Sequence, residues 1–394
     1  MTVTSDAPAS PPEEERAPVW AVPLSDVLVD AEIEEAVADA VRSGWWSMGP
    51  RVAAFEEEFA GLCGVSSAFA VANGTAALHL ALLAVGCGPG DEVLVPSLNF
   101  VAAANTISHV GATPVFCDIE GPGRLTIDPQ DVEAAVGATT KAIVVMHYGG
   151  HPCRMDAILD VAAHHGLAVI EDAAHAPGAL WRGRRCGAIG DVGCFSFFAN
   201  KNLPVGEGGM VVTDDDAIAE QIRLLRSHGM TTLTWDRHRG HAHSYDVVAR
   251  GYNYRLDEIR AAIGLVQLRR LETGNSARSR VVARYREDID GLGGIRMPFA
   301  PDDETIPAHH LAVIVLPEDR PREEFRRTLV GRGIQTSVHY PPIHQFTCYR
   351  SHRSGRPLPV TDALARRIVT IPLYPHMSDG DVAAVTDAVR EGMS

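Results

Sequence analysis

No run of the chain is long and apolar enough to span a bilayer, which excludes an integral protein built from membrane-crossing helices. Cysteine pairs with metal-ligand spacing are missing as well. The seven cysteines are scattered at 63, 87, 117, 153, 186, 194 and 348, an odd number with several inside apolar runs. They read as reduced core residues of a cytoplasmic protein, not as a disulfide framework or a zinc site. Positive charge is in short supply: 35 Lys and Arg stand against 50 Asp and Glu, a formal net charge of −15. That balance argues against nucleic acid or an anionic membrane as a partner. The first twenty residues have no apolar core of the kind a secretory signal needs. Their Pro-, Ser- and Glu-rich sequence, MTVTSDAPASPPEEERAP, reads as a disordered tail over 1–20. No internal repeat is visible.

What is present has a globular composition, 46% hydrophobic and 22% charged over 394 residues, enough for a large core and two domains. The organising stretch is 169–213. A short apolar strand, Leu167 to Ile170, ends in two carboxylates, Glu171 and Asp172. A Gly-rich connection leads to a second strand, Gly193 to Phe198, followed at once by Lys201 between two asparagines. Gly209 to Thr213 is a third strand. An acid and an amine arriving from separate strands at the carboxyl edge of an α/β sheet have the makings of a pyridoxal 5′-phosphate (PLP) site. The amine would form a Schiff base, and the carboxylate would pair with the protonated pyridine nitrogen. Ser196 could donate to the phosphate. A solvated lysine and a helix-capping aspartate would give the same letters.

A second signal lies at 65–86. A strand, Ala68 to Val71, runs through Asn73-Gly74-Thr75 into the helix AALHLALLAVG, which places free amides and the positive end of a helix at Gly74, Thr75 and Ala76. An anion could sit there, although an ordinary N-cap looks the same. Strands at 92–95 and 114–118 flank a helix at 101–110, and Phe100 falls at the same sheet edge, where it could stack on a flat ring. The strand–helix alternation continues to Thr213, so a parallel or mixed sheet covered by helices is expected. A long polar loop at 228–255 carries Arg237, His238, Arg239, His241 and His243. Helix is expected over 256–272, with a longer one running to about 289, and then a smaller α+β region containing IQTSVHYPPIHQ. The expected division is 21–270 for the large domain and 271–394 for the small one.

Seven motifs in order carry a resemblance: SMGPRVAAFEEEFA, NGTAALHLALLAVGCGPGDEVLVPSLNFVAAANTI, GATPVFCDI, VIEDAAHAPGA, GDVGCFSFFANKNLPVGEGGMVVT, GYNYRLDEIRAAI and HYPPIH. From about Ala31 to the C-terminus the chain resembles the DegT/DnrJ/EryC1/StrS family of PLP-dependent sugar aminotransferases. The resemblance implies an aspartate-aminotransferase-like type I PLP fold: α/β, with a mixed, mainly parallel seven-stranded sheet and a smaller C-terminal α+β domain. It implies Lys201 as the Schiff-base lysine and Asp172 at the pyridine nitrogen. His175 would contact the ring hydroxyl, in a place often filled by Gln, and Phe100 would stack on the ring. Gly74, Thr75, Ala76 and Ser196 would hold the phosphate, with Asn253 reaching it from a second subunit of a homodimer with shared sites.

The expected reaction moves an amino group from L-glutamate to a keto group of a nucleotide-linked deoxysugar, with a 4-keto-6-deoxyhexose the leading substrate. Trp46, Met48, Arg237, Arg239, His339 and Tyr340 are the expected substrate contacts. One branch of the family has histidine in place of the lysine and dehydrates its substrate; Lys201 favours transamination. An inosose, a free cyclitol ketone, is the alternative acceptor. A PLP-dependent lyase or desulfurase would need a catalytic cysteine loop, and a PLP-binding sensor would need a DNA-binding module; neither is seen. The Lys201 amine must be substantially neutral to react, so its pKa is expected to be lowered.

Overall fold

The computed structural model describes residues 20–232, 235, 244–350 and 356–394. Helix α1 (Ala31–Arg42) begins at Asp30, whose side chain caps the Ile33 N–H. Helix α2 (Pro50–Cys63) starts with proline and stops at Gly64, which turns the chain at φ 72°. The N-cap of α2 is Gly49, which has no side chain to cap with. Glu258, fully buried, does that work from far along the chain, accepting from the Arg51 and Val52 N–H groups at 3.0 and 2.9 Å.

Strands and helices then alternate as the apolar pattern predicts: β1 (Ser67–Val71), α3 (Gly74–Ala84), β2 (Glu92–Pro96), α4 (Ala102–His109) and β3 (Thr113–Cys117). A hairpin of β4 (Ile119–Gly121) and β5 (Arg124–Ile127) precedes α5 (Pro129–Ala135), β6 (Thr140–Met146), α6 (Met155–His165) and β7 (Ala168–Asp172). The short strands β8 (Leu180–Trp181) and β9 (Arg184–Arg185) lead to β10 (Val192–Ser196), β11 (Gly209–Thr213) and α7 (Asp216–Leu225).

Seven of these strands form one sheet in the order β1-β11-β10-β7-β6-β2-β3. Only β11 runs against the others, pairing antiparallel with both β1 and β10. This is the mixed, mainly parallel α/β sheet expected from the sequence. Its strands are covered on both faces, so they read as unbroken apolar runs: Ala142, Ile143, Val144 and Val145 are all fully buried. One face packs Phe55 and Phe59 of α2 against Phe195 and Phe197, with ring centroids 4.9–5.5 Å apart. Phe59→Ala there costs about 3–5 kcal/mol. The other face packs α3 and α4 through Leu78, Leu80, Leu82 and Ile107.

Helix α8 (Glu258–Ile289) is a single 32-residue element, capped by Asp257, where the sequence suggested a helix to 272 and a longer one to about 289. It carries the chain through residues 270 and 271 without a break. Beyond it come β12 (Thr305–Ile306), β13 (Ala312–Val315), α9 (Arg322–Gly331), α10 (Pro359–Leu364), β14 (Ile368–Ile371) and α11 (Asp379–Met393). Strands β13 and β14 pair antiparallel. They share a separate core with α9, α11 and the end of α8, built on Tyr285, Ile289, Phe325, Leu329 and Val385. Six cysteines are buried as expected; Cys348 is not, and lies exposed. Among the described residues no helix is long and apolar enough to cross a membrane.

Candidate active site

The carboxyl edge of the sheet opens into a cavity of about 450 Å³. Strand β7 ends there in Asp172, and Cys194 of β10 lies beside it in register. The turn after β10 brings in Lys201, β1 leads into Gly74 and Thr75, and the segment after β2 supplies Phe100. His175, Ser196, His339 and Tyr340 complete the expected residues on its walls.

Asp172 is buried, and one of its oxygens accepts from the Ala174 N–H at 3.2 Å. Burial pushes its carboxyl above the usual range, against that hydrogen bond and the Lys201 charge. Burial pulls the Lys201 amine down to about 8, opposed by Asp172. The sequence contains only one other lysine, Lys141, which is exposed near the opposite end of β6.

Neighbouring residues of a strand face opposite ways, so Glu171 turns from the cavity into the core. It accepts from the Gly187, Ile189 and Gly190 N–H groups at 2.7, 2.6 and 2.6 Å, and from His147 Nε2 at 2.8 Å. Burial alone would raise its carboxyl, but His147 and these amides hold it below the usual range. The Cys153 N–H donates to His147 Nδ1 at 3.1 Å, which leaves Nε2 as the protonated nitrogen. This buried anchor for the end of β7 was missed in the sequence, although two adjacent carboxylates on an interior strand are its signal.

At the start of α3, Asn73 Oδ1 already accepts from the Ala76 N–H at 2.8 Å, and Ala76 does not line the cavity. Within the chain, the Ala76 donor serves the cap of α3. Gly74 and Thr75 remain at the cavity. A Cβ on Gly74 would lie 2.8 Å from the Ser196 Cβ, so only glycine lets the helix start approach the serine this closely.

The Gly149 N–H donates to His175 Nδ1 at 3.3 Å, and His175 Nε2 lies 3.0 Å from the Tyr340 hydroxyl. Burial, then Lys201 and His339, keep the His175 pKa well below its ordinary value, so the ring is neutral with its proton on Nε2. His175 donates to Tyr340 Oη, and the phenol, kept protonated by burial and Asp172, has its own O–H free to donate. Within the chain both ring nitrogens of His175 have partners, and His175 and Tyr340 line the cavity together. His339 Nδ1 lies 2.9 Å from Thr370 Oγ1, and burial lowers its pKa to about 4. Phe100 is 53% exposed at the mouth, its ring 5.8 Å from that of Tyr340.

Other expected residues are not brought to this cavity. Trp46 is exposed and donates its indole N–H to the Val41 carbonyl. Met48 is buried in the core beside Val52 and Phe55. Asn253 is exposed and bridges to Ser227. Arg237 and Arg239 lie outside the described residues. The cavity adds Asn73, Met146, Phe198, Asn200 and Glu207, most of them sequence neighbours of the motif residues. Among the described residues no group of His, Cys, Asp and Glu is placed to hold a metal ion.

The donor set fits PLP: a buried carboxylate for a pyridinium, a lowered-pKa amine for an aldehyde, and a glycine-permitted helix start beside a hydroxyl for a phosphate. Comparison with known proteins agrees. Residues 28–390 match the DegT/DnrJ/EryC1/StrS aminotransferase family. The spore coat polysaccharide biosynthesis protein SpsC of Bacillus subtilis (strain 168) is 44% identical over 377 residues, which cover 94% of this chain and 96% of SpsC. The structure of S. venezuelae DesV in complex with a ketimine intermediate superposes with a TM-score of 0.85 at 39% identity, covering 92% of this chain and 95% of DesV. Spr1654 of Streptococcus pneumoniae in its PLP form gives 0.86 at 27% identity, over 94% and 98% of the two chains. The chain belongs to the DegT/DnrJ/EryC1/StrS aminotransferase family and is a PLP-dependent sugar aminotransferase of the type I fold.

Proposed function

We propose that this enzyme transfers an amino group from L-glutamate to the keto group of a nucleotide-linked deoxysugar, a 4-keto-6-deoxyhexose, in the cytoplasm, as a step in amino-sugar biosynthesis for a surface glycan or a natural product. The observation that carries the reading is the convergence of Lys201 and Asp172 on one cavity beside a phosphate-sized helix start. The names of SpsC and DesV support it: one is a polysaccharide biosynthesis protein, and the other was captured with a ketimine.

Bound PLP supplies an electron sink and a carrier for the amino group. The rest is the work of the chain. Asp172 keeps a proton on the pyridine nitrogen by pairing with it. Lys201, neutral over much of the range above about pH 8, anchors the cofactor and then moves a proton between substrate carbon and cofactor carbon. Gly74, Thr75 and Ser196 hold the phosphate, and Phe100 covers the ring at the mouth. His339 and Tyr340 meet the sugar. Asn253 reaches the phosphate of a second subunit in a homodimer with shared sites, and Arg237 and Arg239 contact the diphosphate of the nucleotide-sugar.

The test is a panel. The enzyme is converted to its pyridoxamine form with L-glutamate, then offered keto nucleotide-sugars and, as the competing acceptor class, inososes. Return of the aldehyde absorbance with a nucleotide-linked 4-keto sugar supports the reading; return with an inosose alone replaces it.

A further inference from the structure

The wall of the cavity that carries His339 and Tyr340 has few ways to fix itself. Pro341 and Pro342 follow Tyr340, so the chain has no backbone donor there until Ile343. The next two donors both go to one residue. The Ile343 N–H meets the Ser97 carbonyl at 2.9 Å, and the His344 N–H meets Ser97 Oγ at 3.3 Å. The His344 side chain returns to the same place, with Nδ1 2.7 Å from Ser97 Oγ and Nε2 3.1 Å from Asp362 Oδ1. Ser97 Oγ accepts from the backbone and gives its own proton to Nδ1, which leaves Nε2 as the protonated nitrogen facing Asp362. Ser97 is fully buried and His344 nearly so, where hydrogen bonds are strengthened by the low local dielectric.

Both ends of this link lead to the site. Ser97 directly follows β2 and stands three residues before Phe100, and His344 stands four residues after Tyr340. The Phe100 and Tyr340 rings, both on the cavity wall, have centroids 5.8 Å apart. Upstream of Tyr340 the segment belongs to the small core. His339 Nδ1 lies 2.9 Å from Thr370 Oγ1, and Ser337 exchanges two backbone bonds with Thr370 of β14, at 3.1 and 2.9 Å. Tyr340 therefore sits on a bridge, tied to β14 on one side and to the end of β2 on the other. Asp362 carries the link into α10, whose first turn is held by Asp118 through the Val360 and Thr361 N–H groups at 3.0 and 2.7 Å.

We infer that His344 is a positioning residue of the acceptor half-reaction: by tying the HYPPIH segment to Ser97 it holds Tyr340 against Phe100 and keeps the mouth shaped for the keto substrate. Ser97, His344 and Asp362 do not line the cavity, so the effect passes through Tyr340. A displacement of about 1 Å at a reacting site can cost on the order of 10²-fold in rate. Glutamate is small and reacts at Lys201, whereas the larger acceptor must pass the aromatic wall. The inference rests on the proposed function for the identity of that acceptor.

The experiment reads Tyr340 directly and the two half-reactions separately. PLP-loaded enzyme is labelled with 3-fluorotyrosine, and Tyr340→Phe identifies the Tyr340 signal among the eight tyrosines by fluorine NMR. His344→Leu fills the space without either hydrogen bond and is expected to shift that signal; Ser97→Ala breaks the same link and does likewise. His344→Asn, whose amide can still meet Ser97 Oγ, restores most of the wild-type signal. In single turnovers the L-glutamate half-reaction of His344→Leu stays within about two-fold of wild type, while its pyridoxamine form reacts about ten-fold more slowly with a nucleotide-linked 4-keto-6-deoxyhexose. In a Tyr340→Phe background the same change costs at most about two-fold. A Tyr340 signal unmoved in both His344→Leu and Ser97→Ala overturns the inference. So does an equal loss in the two half-reactions, because His344 is then only a structural prop. If His344→Leu fails to fold, Ser97→Ala decides by the same readings. Wild-type enzyme that leaves the 4-keto sugar unchanged counts against the proposed acceptor, and the fluorine signal still decides the role of His344.

Discussion

Asp172 and Lys201 act on each other across one cavity, the first as the last residue of β7 and the second in the turn beyond β10. Each charge opposes the cost of burying the other: Lys201 restrains the upward shift of Asp172, and Asp172 restrains the downward shift of Lys201. With PLP bound, Asp172 would pair with the pyridinium and leave Lys201 to act as a neutral amine.

Asp172→Asn should still take up PLP, because Lys201 and the phosphate contacts are intact. It should lose about two to three orders of magnitude in the glutamate half-reaction, as an amide cannot keep the ring nitrogen protonated. Single-turnover absorbance measures this. A rate within a few-fold of wild type contradicts the pairing.

The Lys201 pKa sets a pH dependence with a definite sign. The amine attacks only when neutral, so capture of added PLP by cofactor-free enzyme should accelerate with rising pH around a midpoint of about 8, below the ordinary lysine value of 10.5. Between these values the unfolded chain holds a proton that the folded chain has released, so the stability of the cofactor-free protein should rise with pH across that window. A capture midpoint at the ordinary lysine value contradicts the buried-amine account.

Tyr340→Phe removes the donor that neutral His175 orients, without creating a cavity. PLP uptake should persist, with turnover of the keto substrate reduced by about three- to ten-fold, the worth of one neutral hydrogen bond. His175→Ala should reproduce this loss, and the double variant should add little to it. Additive losses would show that the two residues act separately.

Asn253 stands exposed and away from the cavity of its own chain, so its proposed contact needs a second copy. Mixing two inactive variants, Lys201→Ala and Asn253→Asp, should restore activity through mixed dimers that hold one intact site. Absence of recovery while the subunits demonstrably exchange contradicts a shared site.

Much of this was legible because the chain makes its site from sequence-local motifs at strand ends. β7 ends in Asp172, β10 is followed by Lys201, and β1 runs into Gly74 and Thr75, so periodicity and turn residues sufficed to place them on one edge. Legibility failed where a side chain's partner comes from elsewhere or competes locally. Asn73 takes the Ala76 amide, the pairing of His175 with Tyr340 spans 165 residues, and Glu258 caps α2 from 206 residues away.

The most direct measurement exploits the scarcity of lysine. Lys141 and Lys201 are the only lysines in the chain, so PLP-loaded enzyme reduced with borohydride and mapped by mass spectrometry has very few amines on which the cofactor can be found. The adduct is predicted on the peptide containing Lys201, and is predicted to be absent from Lys201→Ala. An adduct on Lys141 or on the amino terminus, or one that persists in Lys201→Ala at wild-type yield, contradicts the assignment on which the rest is built.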